Sequence, residues 1–227
     1  MENKVKVALF DFCGTFIPFQ SGDEFIRFAS EDYVSKEKLK KEEKQLAYLR
    51  KSVVLRGYQK FFKRPVSKWI IASRIKGMKE ENIHEKAGEF IEKRVKPALL
   101  KETLSLLKEC KEKGYYCFMV SAAYNPYLCI FIKEYGIDDV VCSMLDVKNK
   151  VMTGKIKHDC FASRKVKYAI KHLNKKFGKG NYEIEFSIGD SKTDIPILNL
   201  AKRKVVISKN THQDWVNDSY EEIIYGN

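Results

Sequence analysis

Residues 6–19, KVALFDFCGTFIPF, guide the interpretation of the whole chain. A short apolar run is typical of a strand buried in a parallel sheet, and here it ends in a single acid, Asp11. Small residues, Gly14 and Thr15, then predict a turn. In open α/β sheets the functional groups lie beyond the carboxyl ends of the strands. The stretch therefore predicts a reaction centre at Asp11, with an unexpected cysteine, Cys13, two positions later.

Downstream of Pro97 the sequence alternates between strand and helix patterns. This alternation predicts an α/β fold with a parallel sheet covered by helices on both faces. Strands are predicted over 5–10, 115–121, 139–156 (one or two strands), 182–190 and 203–209, and helices over 99–113, 125–136, 162–178 and 193–201.

Residues 22–96 have a different pattern, in which apolar residues recur at spacings of three and four among many Lys and Glu residues. This pattern predicts helices, and no convincing strand is found there. Because the block follows the first strand, it is interpreted as an inserted helical domain. The predicted division is an α/β core over 1–17 and 98–227, with the helical domain over 18–97.

The chain has 227 residues and a formal net charge of +13. The lysines are spread over every predicted helix and no nucleic-acid-binding module is recognised, so no nucleic-acid partner is expected. A positive field of this kind also attracts small anionic substrates such as phosphates. The six cysteines include no CxxC pair, which favours reduced thiols and a cytoplasmic protein without a zinc site.

Membrane association is the other possibility to weigh. No apolar run reaches about 18 residues, so no transmembrane helix is predicted, and the N-terminal stretch does not have the pattern of a signal peptide. Residues 58–69, YQKFFKRPVSKW, mix aromatic and basic side chains and could touch a lipid surface. Inward packing of the aromatic side chains on a helix is favoured, so no stable membrane association is expected.

Polar residues follow three of the predicted strands. Asp11 follows the first, the strand at 115–121 ends in Ser121, and Asp190 ends the strand at 182–190. Lys165 lies near the start of the helix between the last two of these strands, and Ser191 and Asp194 follow Asp190. Each residue alone would be interpreted as a cap, a turn residue or a solvated side chain. Together, in this order, they indicate a site.

This set of groups suits phosphoryl transfer. Asp11 can act as a nucleophile and form an aspartyl-phosphate, and with Asp190 it can hold Mg²⁺. Lys165 and Ser121 can neutralise and bind phosphate oxygens. Asp194 can orient Lys165 or a metal-bound water, with Ser191 beside it in an outer layer. Loop amides are the remaining phosphate-binding candidates: those of Gly14, Thr15 and Ala122.

The ordered motifs resemble the haloacid dehalogenase (HAD) superfamily, and within it the phosphoserine-phosphatase-like branch. The matching stretches are FDFCGTF, FMVSAAY, TGKIKHDCFASRKVKYAI and IGDSKTDIPIL, and the resemblance covers essentially the whole chain. It implies a Rossmann-like core, Mg²⁺ dependence and a mobile helical cap inserted between the first two motifs. It also implies metal ligands at Asp11, the backbone carbonyl of Cys13, and Asp190.

Cys13 departs from the family pattern, in which an Asp at this place protonates the leaving group and later deprotonates the attacking water. A thiol has a reference pKa of about 8.5 against about 3.9 for Asp. Losing a general acid/base costs about 10² to 10⁴ in rate.

Four explanations for Cys13 stay open. Substrates with good leaving groups, such as acyl phosphates, need no acid. A phosphonate-cleaving enzyme would supply an amine from the cap. A dehalogenase needs no acid, although the intact GDSKTD motif argues against one. Finally, the protein could be an impaired relative that binds a phosphorylated ligand.

Substrate choice also departs from phosphoserine phosphatases. The position of their ammonium-binding Glu is held by the neutral Gln20, and the small residues after Ser121 are Ala122 and Ala123 instead of glycines. Arg56 is a candidate contact for a substrate carboxylate or second phosphate. The preferred hypothesis is a Mg²⁺-dependent phosphatase or phosphotransferase for a small phosphorylated metabolite, as a monomer or homodimer. The alternative is a catalytically impaired phosphate-ligand-binding protein.

Overall fold

The computed structural model describes residues 4–52 and 66–226. Within these ranges, seven strands form one sheet in the order β4-β3-β2-β1-β5-β6-β7, and every neighbouring pair is parallel except β3 and β4. The strands are β1 (Val5–Phe10), β2 (Tyr116–Tyr124), β3 (Asp139–Lys148), β4 (Val151–His158), β5 (Tyr182–Gly189), β6 (Arg203–Lys209) and β7 (Glu221–Tyr225). The predicted α/β class is therefore confirmed.

Helices connect these strands. Their bounds are α1 (Ser21–Ala29), α2 (Lys36–Lys51), α3 (Val66–Ala72), α4 (Glu80–Phe90), α5 (Lys101–Glu112), α6 (Asn125–Tyr135), α7 (Ser163–Phe177) and α8 (Ile195–Leu198). A π-helical turn at Ile91–Val95 extends α4, and short 3₁₀ turns cover Ser73–Ile75, Lys96–Ala98 and Lys192–Asp194. No helix in the described ranges is long and apolar enough to cross a membrane.

Several element predictions differ from the structure. β2 continues past Ser121 to Tyr124. The prediction of one or two strands over 139–156 is confirmed in its two-strand form, because Asn149 and Lys150 adopt positive φ angles and turn the chain between two antiparallel strands. The helix predicted over 193–201 is reduced to a 3₁₀ turn and the short α8. β7 was not predicted, since its first two residues are glutamates, which are uncommon in strands.

β1 lies at the centre of the sheet, between β2 and β5. Its last four residues are buried, as expected for a strand covered on both faces. Parallel pairing places the carboxyl ends of β1, β2 and β5 at one edge of the sheet. The residues that follow these strands therefore come together.

Two helices of the insertion at residues 18–97, α1 and α4, pack on the α/β part through aromatic side chains. Phe25 of α1, Phe90 of α4 and Tyr127 of α6 form a triangle with ring centroids 4.9–5.4 Å apart. One continuous apolar core includes residues from both parts of the chain. The division into a core over 1–17 and 98–227 and a cap over 18–97 stays a prediction.

A short segment before α4 pairs with the outer side of β4. The amide of Gly77 donates to the Met152 carbonyl (2.9 Å), and the Met152 amide donates to the Met78 carbonyl (2.8 Å). Gly154 permits this contact, because a Cβ there would lie 2.8 Å from the Cβ of Lys76. The helical insertion, where no strand was predicted, thus extends the sheet by one β-bridge, between Lys79 and Val151.

Candidate active site

Asp11 lies immediately after β1, with only 5% of its surface exposed. Its amide donates to the Ile188 carbonyl of β5 (3.1 Å), so the backbone is fixed by the sheet. Its Oδ1 accepts a hydrogen bond from Lys165 Nζ at 2.7 Å. The predicted nucleophile and the predicted lysine are therefore in direct contact.

Lys165 lies in the first turn of α7 and is buried. Its Nζ also donates to Asp194 Oδ1 at 2.6 Å, so the ammonium bridges two carboxylates. Burial alone would lower the pKa of Lys165, but the charges of Asp11 and Asp194 raise it above its usual value. Lys165 is therefore a permanent positive charge in this site.

Asp194 is buried, and both of its carboxylate oxygens are engaged. Oδ1 binds Lys165, while Oδ2 accepts from the amide (3.2 Å) and the hydroxyl (2.7 Å) of Ser191. A side chain at Gly189 would clash with it, since a Cβ there would lie 2.8 Å from the Asp194 Cβ. These contacts make Asp194 an orienting group for Lys165.

Asp190 is half-buried and lies directly against the turn after β1. Gly14 has φ +75°, and a Cβ at this position would lie 2.1 Å from Asp190 Oδ2. Only glycine fits there. The Asp190 carbonyl accepts from Gln213 Nε2 at 2.9 Å. Gln213 was not predicted as a site residue, because it lies on a distant loop and no sequence pattern connects it to Asp190.

The carboxylates of Asp11, Asp190 and Asp194 can offer oxygen atoms that all lie within 4.8 Å of one another. Burial raises the pKa of Asp11 to about 6, against the opposing effect of Lys165. Burial, then the charges of Asp11 and Asp194, raise the pKa of Asp190 to about 8. A hard cation would relieve this repulsion, and carboxylate oxygens are the ligands that Mg²⁺ prefers. The oxygens of Asp11 and Asp190 therefore fit Mg²⁺, while both oxygens of Asp194 are engaged by Lys165 and Ser191.

Ser121 is fully buried near the end of β2. Its Oγ accepts from the Ala123 amide at 3.3 Å, and no acceptor for its own proton lies among the described residues. That proton can be donated to a ligand oxygen. Ala122, the next residue, is half-buried.

Gly14 and Thr15 use their amides within the turn after β1. The Gly14 amide donates to the Ile17 carbonyl (2.8 Å), and the Thr15 amide donates to the Phe12 carbonyl (3.2 Å). The Thr15 hydroxyl is buried and finds no partner within the described chain. Both amides are thus engaged in the turn in this structure, and their phosphate-binding role stays a prediction.

The Cys13 thiol is buried and lies in a hydrogen-bonded chain. Its Sγ is 3.0 Å from the Ser21 Oγ, which is 2.7 Å from the Tyr127 hydroxyl. The Tyr127 oxygen in turn accepts from the Tyr124 amide at 3.3 Å. Burial, followed by the charge of Asp11, raises the pKa of Cys13 to about 11. The thiol is therefore neutral near pH 7. Sequence reasoning missed Ser21 and Tyr127, which lie outside the motifs.

Of the two predicted specificity residues, the structure describes only Gln20, and no hydrogen bond joins it to this cluster. Gln20 is exposed and precedes the first turn of α1, where its side chain makes no capping hydrogen bond. Arg56 lies outside the described residues, so its predicted contact with a substrate stays a prediction.

The chain belongs to the haloacid dehalogenase-like hydrolases, whose family model matches residues 8–199. It is therefore classed as a hydrolase, as predicted. No curated protein sequence matches the chain significantly.

Solved structures share this fold at low sequence identity. A protein of unknown function from Bordetella pertussis Tohama I is 16% identical, with a TM-score of 0.74 over 90% of this chain and 91% of that one. A phosphoserine phosphatase, solved as a phospho-aspartyl intermediate analogue, is 22% identical, with a TM-score of 0.56 over 90% and 87%. A HAD family hydrolase from Salmonella enterica subsp. enterica serovar Typhi is 15% identical, with a TM-score of 0.61 over 96% and 66%.

Proposed function

We propose that this hydrolase is a Mg²⁺-dependent phosphatase or phosphotransferase that acts on a small phosphorylated metabolite through an aspartyl-phosphate at Asp11. The observation that carries the proposal is the Lys165 bridge between Asp11 and Asp194, beside Asp190. The phosphoserine phosphatase relative was solved as a phospho-aspartyl intermediate analogue, which supports the same chemistry.

In the proposed first step, an Asp11 carboxylate oxygen attacks phosphorus and the bond to the leaving oxygen breaks. Lys165 keeps Asp11 ionised and offsets the negative charge of the phosphoryl group. Ser121 donates its free hydroxyl proton to a phosphoryl oxygen. In the second step, the oxygen of water or of another acceptor attacks phosphorus and the bond from phosphorus to Asp11 breaks, which restores the carboxylate. The proton of the acceptor passes to the released phosphate or to solvent.

Magnesium would be held by Asp11, Asp190 and the backbone carbonyl of Cys13. When bound, the ion would offset the repulsion between the attacking carboxylate and the phosphate dianion. Asp194 stays outside this ligand set, because its oxygens are occupied by Lys165 and Ser191.

Cys13 decides which substrates turn over rapidly. A thiol with a pKa of about 11 is too weak an acid to protonate an alkoxide leaving group efficiently near pH 7, as the usual Asp does in the first step. We therefore propose that substrates with good leaving groups, such as acyl phosphates, are preferred to alkyl monoesters.

The test is a panel of acyl phosphates, aryl phosphates and alkyl phosphates, assayed with Mg²⁺. Turnover should be fastest for the acyl and aryl members and should fall about 10⁴-fold or more in Asp11→Asn. The matched control is Asp139→Asn. Asp139 is at the start of β3, where its carboxylate contacts His172, so the variant removes a carboxylate that is not in the candidate site. Equal activity in wild type and Asp11→Asn would contradict the phosphoenzyme.

The second candidate function is a phosphate-ligand-binding protein with little turnover. It is favoured by the contacts of Cys13, whose side chain is engaged with Ser21 inside the protein. Tight phosphate binding by wild type, with no turnover across the whole panel, would support this alternative and contradict the enzyme.

We further propose that residues 18–97 act as a cap over the site and that the protein is cytoplasmic, as a monomer or homodimer. The contacts of the insertion with β4 and α6 support a cap seated on the core. No nucleic acid or stable membrane partner is expected.

A further inference from the structure

A second buried ammonium lies where the helical insertion meets the sheet. Lys68 of α3 has 8% of its surface exposed. Its Nζ donates to the Ala122 carbonyl (2.8 Å), the Ser143 hydroxyl (3.1 Å) and Asp159 Oδ1 (2.9 Å). It also lies 4.9 Å from the centre of the Tyr124 ring. The three acceptors belong to β2, β3 and the loop before α7.

The contact with Ala122 coincides with an interruption of the sheet. The pairing of β2 with β3 shifts register between Ser121 and Tyr124, and Ala122 lies inside this shift. A carbonyl at such a place loses a regular strand partner and needs another donor. Lys68 is that donor, and it comes from the helical insertion.

The other two contacts lead towards Lys165. Asp159 accepts from Lys68 through one oxygen and from Arg164 through the other (2.9 Å). Ser143 Oγ also accepts from the Cys160 amide at 3.0 Å. The loop at 159–164 is therefore tied to β3 and to the insertion immediately before Lys165.

All three Lys68 protons have an acceptor in these contacts, so the ammonium has none left for a substrate. An effect of Lys68 on the reaction must pass through the groups it holds. Those groups flank Ser121 on one side and Lys165 on the other.

We propose that Lys68 is a positioning residue that couples the seating of the helical insertion to the shape of the end of β2 at residues 121–123, where Ser121 is proposed to bind phosphate. This inference rests on the proposed function, because it assumes that Ser121 binds phosphate. Since binding and seating would be coupled, each would favour the other to the same degree. Bound phosphate would favour the state in which the insertion contacts the sheet. The protein would bind phosphate more weakly when the insertion is detached from the sheet.

The test compares Lys68→Met with Lys38→Met. Lys38 is a matched control, because its Nζ also donates to two backbone carbonyls, Ser73 (2.9 Å) and Arg74 (3.2 Å), but both lie within the insertion. We would measure the dissociation constant for inorganic phosphate with Mg²⁺, and amide hydrogen exchange over 121–126 without phosphate. Lys68→Met should weaken phosphate binding about 10-fold and accelerate exchange at 121–126, and Lys38→Met should change neither.

The possible results distinguish failure of the proposed function from failure of the inference about Lys68. If wild type binds no phosphate, this inference falls, and turnover across the substrate panel decides separately whether the proposed function stands. If wild type and Lys68→Met bind phosphate equally, the inference alone is overturned, whatever the exchange rates. Equal losses in both variants would also overturn it, since the effect would then be a general destabilisation of the insertion. Lys68→Gln, which keeps a polar side chain, replaces Lys68→Met if the latter does not fold.

Discussion

Lys165 and Lys68 are both buried ammonium groups that bind carboxylates, yet their surroundings differ in charge. Lys165 contacts two carboxylates with a third, Asp190, close by, so negative charges outnumber positive ones when all are ionised. Around Lys68, Asp159 faces two cations, since Arg164 binds its second oxygen. The first cluster suits a cation ligand, whereas the second is satisfied without one.

The two lysines also differ in what they connect. Lys165 joins the ends of elements in the α/β part of the chain, while Lys68 joins the helical insertion to that part. A defect at Lys165 should therefore damage the reaction itself. A defect at Lys68 should act through the seating of the insertion.

The largest expected effect comes from removing each ammonium in turn. Lys165→Met leaves two buried carboxylates without their cation and should lower the free energy of unfolding by about 3–5 kcal/mol. Lys68→Met leaves Asp159 with Arg164 and should cost about 1–3 kcal/mol. Urea denaturation of both variants measures the difference, and a larger loss in Lys68→Met would reverse the comparison.

Placing an acid at position 13 should have the next largest effect. Cys13→Asp should raise turnover of alkyl phosphates about 10²-fold, because it returns a general acid/base to the site. Cys13→Ala is the control, since it removes the thiol contact with Ser21 without adding an acid. Steady-state kinetics on one alkyl and one acyl phosphate would separate the two effects. Equal rates for Cys13→Asp and Cys13→Ala would show that proton transfer does not limit the reaction.

The excess negative charge in the first cluster predicts a smaller, pH-dependent effect in the metal-free protein. Burial, with the charges of Asp11 and Asp194, raises the Asp190 pKa from 3.8 to about 8 in the folded state. The folded protein then keeps a proton that the unfolded chain releases, so this group's contribution to stability falls as the pH rises between about 4 and about 8.

Denaturation in EDTA at pH 5 and pH 8 measures this effect. The free energy of unfolding of wild type should fall relative to that of Asp190→Asn as the pH rises. Adding Mg²⁺ at pH 8 should restore the stability of wild type, because only wild type keeps the Asp190 carboxylate as a ligand. A constant difference between the two proteins at both pH values would contradict the charge excess.

The residues around Lys165 could be predicted from sequence because they lie at or near the ends of predicted strands and the start of a predicted helix. Parallel pairing brings Asp11, Ser121 and Asp190 to the same sheet edge, so their meeting follows from the predicted topology. The turn after β1 could also be predicted, because Gly14 marks it in the sequence. The structure shows why glycine stands there: Asp190 lies too close for a side chain.

The second cluster could not be predicted in this way. The position of Lys68 depends on how α3 of the insertion packs on the sheet, and periodicity within a helix carries no information about that contact. Gln213 and Ser21 were missed for the same reason, since each meets its partner through tertiary packing. The β-bridge at Lys79 is a single residue pair, which is too short to give a strand pattern. β7 has five residues and begins with two glutamates, so it does not give one either.

The pairing of residues 77–80 with β4 also bears on solubility. β4 is the last strand on its side of the sheet, and an uncovered edge of this kind can recruit strands from other chains and start aggregation. Met152 has both its amide and its carbonyl bonded to the insertion, so part of that edge is closed. At the opposite edge, β7 is short and carries Glu221 and Glu222. A protein trimmed of residues 18–97 would expose the β4 edge, and we expect it to aggregate during expression.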